Sequence, residues 1–255
     1  MGKWYTYHHS INEHCNNEDF ELHSHDSYEI LIFHHGDTKH VVEEKIYSLN
    51  PDDIIVLRKG EMHHVQHNSD TLFDRTVLNI SPRFFIDKNC EEYQEVFLKD
   101  SRRYGNKIKG EDVRKSGLHD AIERLRKYSE DFTVYETPVI DAALVEVLYL
   151  LNTIDTFKEA EFENKRLKPV ISFIKENFTN DITLDELSKR FFISKHHLCR
   201  SFKEATGHTV QSYVRYKRVM YARELIKMGE SKTSAALKAG FNSYSSYYRA
   251  EAERD

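Results

Sequence analysis

The apolar residues of this chain change their spacing once. Up to Ile80 they come in short runs rich in β-branched residues: Glu29-Ile30-Leu31-Ile32-Phe33, Val41-Val42, Ile54-Ile55-Val56-Leu57 and Thr76-Val77-Leu78-Asn79-Ile80. Turn signals at Gly36-Asp37, Asn50-Pro51-Asp52-Asp53 and Lys59-Gly60 separate them. Many short strands at this spacing predict a small antiparallel barrel or sandwich. After Pro82 the spacing becomes helical, over residues 83–99 and about 111–131, the second with Val113, Leu118, Ile122 and Leu125. Pro138 then opens a helix carrying Ile140, Leu144, Val147, Leu148 and Leu151, widened by Val145 and Leu150. So wide an apolar face needs cover on more than one side, and a second copy of the chain is expected to supply part of it. The predicted class is α+β: a small antiparallel β-barrel, then helices, then an all-α domain.

Charge divides the chain in the same sense. Residues 1–164 carry 19 Lys and Arg against 32 Asp and Glu, a balance of −13; residues 165–255 carry 18 against 10, a balance of +8. Only the C-terminal part is expected to meet a polyanion. The charged stretch Asp155–Lys168 has few apolar residues and reads as a linker. The predicted division is therefore 1–153, a linker 154–168, and 169–255. No apolar run reaches the roughly 18 residues a transmembrane helix needs, and the polar, His-rich start is unlike a secretory signal. Cys15, Cys90 and Cys199 are odd in number and far apart, which suits a reducing cytoplasm better than a disulfide framework.

Within the basic part, Thr183 and Glu186 have capping-box spacing and start a short helix. Phe192-Ile193-Ser194 makes a tight turn. Ser194 then opens a second helix in which Leu198 and Phe202 point inward, and Gly207 can end it. Two short helices about a tight turn, the second basic on its outer face, make a helix-turn-helix.

Residues 182–226 resemble the first DNA-binding half of the AraC/XylS family of transcription regulators, through Leu184, Leu187, Ile193, Ser194, Leu198, Arg200, Phe202, Lys203, Gly207, Tyr213, Arg218, Ala222 and Leu225. Ser188 stands where the family usually has Ala. A second helix-turn-helix is matched by Ala236-Leu237-Lys238-Ala239-Gly240-Phe241, Ser243, Ser245, Tyr247, Tyr248 and Arg249. It departs at Lys232 and Ala235, where larger apolar residues are usual, and the family's following Phe-Lys, turn and final helix are not matched after Glu251-Ala252-Glu253-Arg254-Asp255. The second unit is thus expected to be incomplete and loose, with acidic tail residues that repel phosphate. The resemblance implies double-stranded DNA as partner. His196, Cys199 and Arg200 would face bases from the first unit, and Tyr244, Ser245, Tyr248 and Arg249 from the second. Lys195, Lys203 and Lys217 would contact phosphates.

Eleven of the 15 histidines lie between His8 and His67. His23-x-His25-x3-Glu29-x6-Gly36 has the spacing of the first cupin motif. Asp53 through Arg58-x-Gly60-x2-His63 resembles the second, with Arg58 for the usual Pro and His67 for the usual Asn. Residues 23, 25 and 29 share parity, so one strand would point all three into the barrel, where His63 joins them from a later strand. Three imidazoles and a carboxylate suit a divalent Zn, Fe, Mn or Ni ion, or equally a metal-free polar lining for an effector. His34, His35, His40 and His64 read as surface or strand-edge residues, and His8, His9 and His14 are given no role.

Regulators of the AraC/XylS family commonly carry such a cupin-like sensor at the N-terminus. The combined expectation is a cytoplasmic, homodimeric, non-enzymatic transcription regulator. A small molecule such as a sugar or sugar acid would bind the sensor and alter DNA binding. Two alternatives are a metal-dependent cupin enzyme with a vestigial DNA-binding tail and a metal-sensing regulator.

Overall fold

Apart from a two-residue strand at Lys107–Ile108, strand structure among the described residues ends where the apolar spacing changes. The computed structural model describes residues 4–15, 23–43, 45–98, 105–130, 137–154, 167–206 and 208–252, which divide into two compact units, 1–161 and 162–255.

The first unit contains β1 (Tyr5–Asn12), β2 (Tyr28–His35), β3 (Thr38–Val42), β4 (Lys45–Ser48), β5 (Ile54–Leu57), β6 (His63–His67), β7 (Phe73–Ile80) and β8 (Lys107–Ile108). A five-stranded sheet has the order β1-β7-β2-β5-β8 and a three-stranded sheet the order β4-β3-β6, with every pairing antiparallel. Among the described residues no ladder joins the two, so the cupin-like sheet pair stays open rather than closing into the expected barrel.

The larger sheet is covered on both faces. Ile30, Ile32, Ile54, Val56, Leu78 and Ile80 pack on helices, while Leu31, Phe33, Ile55 and Leu57 pack against Val42, Tyr47 and Val65 of the smaller sheet. Strands buried on two faces carry continuous apolar runs, which is why β2 and β5 do not alternate in polarity. β1, β4 and β8 escaped the sequence reading because they are short or polar and are defined by their partners.

The helices of this unit are α1 (Pro82–Asp87), a 3₁₀ turn at Glu91–Gln94, α2 (Glu95–Leu98), α3 (Gly110–Lys115), α4 (Leu118–Glu130) and α5 (Thr137–Thr153). The expected helix over 111–131 breaks at Gly117, whose φ of +77° favours glycine. In α5, Ile140, Ala143, Leu144, Val147, Leu148 and Leu151 are buried in the unit's own core, and Val145 and Leu150 pack partly against it. The wide apolar face is therefore satisfied largely within one chain. Val139 and Tyr149 remain exposed.

The second unit comprises α6 (Lys168–Asn177), α7 (Leu184–Phe191), α8 (Lys195–Thr206), α9 (Val210–Lys227), α10 (Lys232–Lys238) and α11 (Tyr244–Ala252). Lys168, read as the end of the linker, begins α6, with Pro169 in the first turn. The rest of the linker stretch, residues 155–166, and the expected helix stop at Gly207 lie outside the described residues.

Local chemistry builds the first helix-turn-helix. Thr183 caps α7 by accepting the Glu186 N–H at 3.1 Å. Phe192 turns the chain with a left-handed φ of +54°. The Ser188 hydroxyl donates to the Ile193 carbonyl at 2.7 Å, and the Ile193 N–H returns to the Ser188 carbonyl at 3.2 Å. The serine thus closes the turn with a bond that alanine could not make, worth about 1 kcal/mol. Leu198 and Phe202 are fully buried, with Phe202 edge-to-face on Tyr213. Arg218 of α9 donates to the Phe178 and Asn180 carbonyls at 2.6 and 2.8 Å, tying α9 to the segment after α6.

The second helix-turn-helix is better held than its departures suggested. Ala235, Ala236, Ala239, Phe241 and Tyr247 form a core with Val219 and Ala222 of α9. The small Ala235 lies fully buried against that helix. Glu251, expected only to repel phosphate, accepts from Arg223 Nε at 2.9 Å and from the Tyr247 hydroxyl at 2.6 Å, fastening the end of α11 to α9. Residues 253–255 lie outside the described residues.

Candidate functional site

In the first unit the chain brings together the four residues that motif spacing singled out, by a route the parity argument did not foresee. β2 begins only at Tyr28. His23 instead forms an isolated antiparallel bridge to His63 of β6, and no strand joins His25 to Glu29. The shared-strand reading of 23, 25 and 29 is therefore corrected: the bridge and the start of β2 make the cluster. One donor atom from each of His23, His25 and His63 lies within 4.8 Å of the other two. Glu29 Oε2 is 3.1 Å from His25 Nε2 and 3.8 Å from His63 Nε2. Glu29 and His63 are buried, His25 is half-buried and His23 is exposed, so the cluster runs from the interior to the surface.

The electrostatics favour a neutral imidazole beside a charged carboxylate. Burial pushes His63 down to about 4, against the pull of Glu29. Burial also pushes Glu29 up, but the His25 hydrogen bond and the electrostatic influence of the surrounding imidazoles outweigh it, holding the carboxyl below its ordinary value. His63 Nδ1 lies 3.0 Å from the Glu61 carbonyl. A carbonyl only accepts, so Nδ1 carries the proton and Nε2 keeps its lone pair, the state a metal ligand or hydrogen-bond acceptor requires.

The sequence reading missed His40. It was placed at the surface or a strand edge, yet it is 1% exposed and stacks on the His63 ring at 5.7 Å. Burial holds its imidazole well below its ordinary value, so it too is neutral near pH 7. Alternation along β3 with Val42, which faces the core between the sheets, could have revealed it. Asp53, part of the second motif, is structural: it accepts from the Asn50 and Gly110 N–H groups and pairs with Lys107 at 2.6 Å.

In the second unit, α8 presents His196, Cys199, Arg200 and Lys203 on one exposed face while Leu198 and Phe202 anchor the other. Arg200 is 3.8 Å from Glu204, an exposed pair that solvent weakens. Lys195 is exposed and pairs with Asp185 of α7 at 2.5 Å. On α11, Ser245, Tyr248 and Arg249 share an exposed face opposite the buried Tyr247. Tyr244 is half-buried and packs on Tyr247 and Tyr248, so packing occupies much of its ring. Lys217 lies half-buried over the Tyr213 ring. A cavity of about 600 Å³ between the two halves is lined by Gln211, Arg215, Arg218 and Arg249, together with Asp181. The guanidinium groups of Arg215 and Arg249 suit phosphate chemistry, while that of Arg218 is engaged by the Phe178 and Asn180 carbonyls.

Comparison with known proteins separates the same two parts. Residues 10–98 match the family model of an AraC-like ligand binding domain, and residues 187–253 match that of a helix-turn-helix domain. The transcriptional activator RhaS of Escherichia coli O1:K1 is 26% identical over 242 residues, covering 91% of this chain and 84% of that protein. Among solved structures, ToxT from Vibrio cholerae is 15% identical, with 99% of this chain and 95% of that one covered and a TM-score of 0.39. The AraC-like transcriptional activator CuxR is 16% identical, with 84% and 72% covered and a TM-score of 0.37. A ligand-binding β domain followed by a helix-turn-helix domain, matched both by family models and along nearly the whole of a regulator, makes this chain a member of the AraC family: a ligand-sensing, DNA-binding transcription regulator.

Proposed function

We propose that the sensor spans residues 1–153, the linker 154–168 and the DNA-reading domain 169–255. The reading residues are His196, Cys199 and Arg200 in the first unit, and Ser245, Tyr248 and Arg249 in the second, with Tyr244 in a lesser part. Lys195, Lys203 and Lys217 neutralise phosphates. The observation that carries this reading is the α8 face, where polar and basic side chains project from a helix whose other side is fully buried. Regulation rather than catalysis is favoured by the packed second helix-turn-helix, which is no vestige. The relative with the same layout is named an activator, and activation is the mode proposed here.

The effector site proposed is His23, His25, Glu29 and His63, with His40 behind them. Its hydrogen-bonding capacity suits a polyhydroxylated ligand such as a sugar or sugar acid. A second reading is favoured by the close approach of the three imidazoles: these residues would hold a divalent ion, Zn, Fe, Mn or Ni, and the ion would itself be sensed. Such an ion would supply Lewis acidity and open coordination positions. In either case the effector acts only through unequal affinity for two states of the protein. A DNA affinity unchanged by chelation would exclude the metal-sensing form.

The working form is proposed as a cytoplasmic homodimer, with the exposed Val139 and Tyr149 of α5 facing the second copy. Sedimentation of the purified chain across a concentration series tests this, and a monomer at all concentrations would refute it. Among the described residues no helix is long and apolar enough to cross a membrane.

The central test is capture of fragmented genomic DNA by the purified protein at two salt concentrations. Discrete sites should survive the higher salt. Arg200→Ala should weaken those sites by about 1–3 kcal/mol and relax specificity at one base pair. Equal losses on all sequences would remove Arg200 as a base reader.

A further inference from the structure

A second group of donor side chains lies outside the motif cluster. β1, β7 and β2 are consecutive in the larger sheet, and they contribute His9, Asp74 and His34 respectively. By alternation these three share the helix-covered face of the sheet with Ile30, Ile32, Leu78 and Ile80. The register of β2 on β7 shifts between Phe33 and His35, so His34 sits at the irregularity. Such bulges re-aim a side chain.

One donor atom from each of His9, His34 and Asp74 lies within 4.8 Å of the other two. His9 Nε2 is 2.8 Å from Asp74 Oδ1. His34 Nε2 is 2.9 Å from the hydroxyl of Thr76, a residue buried in the sheet, which holds the ring's orientation. The His9 and His34 rings meet edge to face at 5.6 Å. Asp74 and His34 are half-buried and His9 is exposed, so an ion can reach the group from solvent. A cation at this point would sit beside the Asp74 carboxylate as well as the two imidazoles.

We propose that His9, His34 and Asp74 form a second metal site that takes a divalent first-row transition ion of the zinc class. Two imidazole nitrogens are borderline donors, and the carboxylate oxygen adds a hard, charged one. They select such ions over Mg²⁺ or Ca²⁺, which prefer all-oxygen shells. Three protein donors leave further positions for water or another ligand. β1 is an edge strand, and the ion would tie it to its neighbour β7 and to β2 beyond.

The test uses the full chain, stripped with chelator and dialysed to equilibrium against Zn²⁺, with bound zinc counted per chain by elemental analysis. His34→Gln and Asp74→Asn are each expected to bind one zinc fewer per chain than the parent, with at least a tenfold loss of affinity for that ion. His35→Ala, a change at an exposed neighbouring imidazole, should leave the count unchanged. The readout is a difference from the parent, so it stands whether or not the His23, His25 and His63 cluster also binds zinc. The proposal is overturned if His34→Gln and Asp74→Asn, folded by circular dichroism, bind as much zinc as the parent, which would leave His9 and Asp74 as an ion pair only.

Discussion

Phe202→Ala is expected to destabilise the DNA-reading unit by about 3–5 kcal/mol. The ring is fully buried and meets Tyr213 edge to face at 5.5 Å, where it joins the reading helix α8 to the connecting helix α9. Its removal loses the transfer free energy of the ring and leaves a cavity that α8 cannot fill without moving. A domain of this size is stable by only about 5–15 kcal/mol in total, so much of that margin goes. Urea unfolding of the full chain, followed by circular dichroism, should move the transition of this unit to much lower denaturant. Phe202→Leu should fall between parent and Ala. Arg200→Ala, on the exposed face of the same helix, should leave the midpoint in place while weakening DNA binding. An unmoved midpoint in Phe202→Ala would mean that the α8–α9 contact does not hold the reading helix.

Gly240→Ala strikes the other half. Gly240 lies between α10 and α11 with φ of +89°, and an added Cβ would come 2.3 Å from the Thr179 carbonyl oxygen. The left-handed conformation costs an L-residue about 1–2 kcal/mol. Forcing the backbones apart adds about 1–3 kcal/mol. The expected loss is therefore about 2–5 kcal/mol, felt mainly in α10 and α11. Hydrogen exchange should rise across those helices while α7 and α8 keep their protection. Binding to a specific site should weaken as the second reading helix loses its seat. Unchanged exchange in α10 and α11 would mean that the turn relaxes around the methyl group and the close approach is not required.

The two substitutions fall on features of different legibility. The inward stripe of Leu198 and Phe202 is a local, i and i+4 feature, so the sequence suffices to read it. The same holds for the Thr183 cap, the Ser194 start of α8 and the outward face of His196, Cys199, Arg200 and Lys203. The tight approach of Gly240 to Thr179 involves residues 61 positions apart, and only the folded chain brings them together. Ser188 belongs to the same class: its departure from the family's usual Ala looks neutral until its hydroxyl is seen on Ile193. Glu251 looks like a repulsive tail until Arg223 and Tyr247 are found beside it.

In the sensor, motif spacing was enough to nominate His23, His25, Glu29 and His63, but strand parity was the wrong reason for their convergence. Alternation along β3 could have shown His40 to be buried, but its stacking on His63 and the grouping of His9, His34 and Asp74 depend on neighbours from other strands. By itself, then, the sequence determined the features written at one to four residues' separation: the period of each element, the caps, the exposed face of α8 and the division of charge. The tertiary structure decided which strands pair, that the sheet pair stays open, that α5 buries its wide face within one chain, and which titratable groups share a site. The physical reason is that hydrogen-bond register and burial are set by partners far along the chain, and it is burial that leaves His63 neutral next to a charged Glu29.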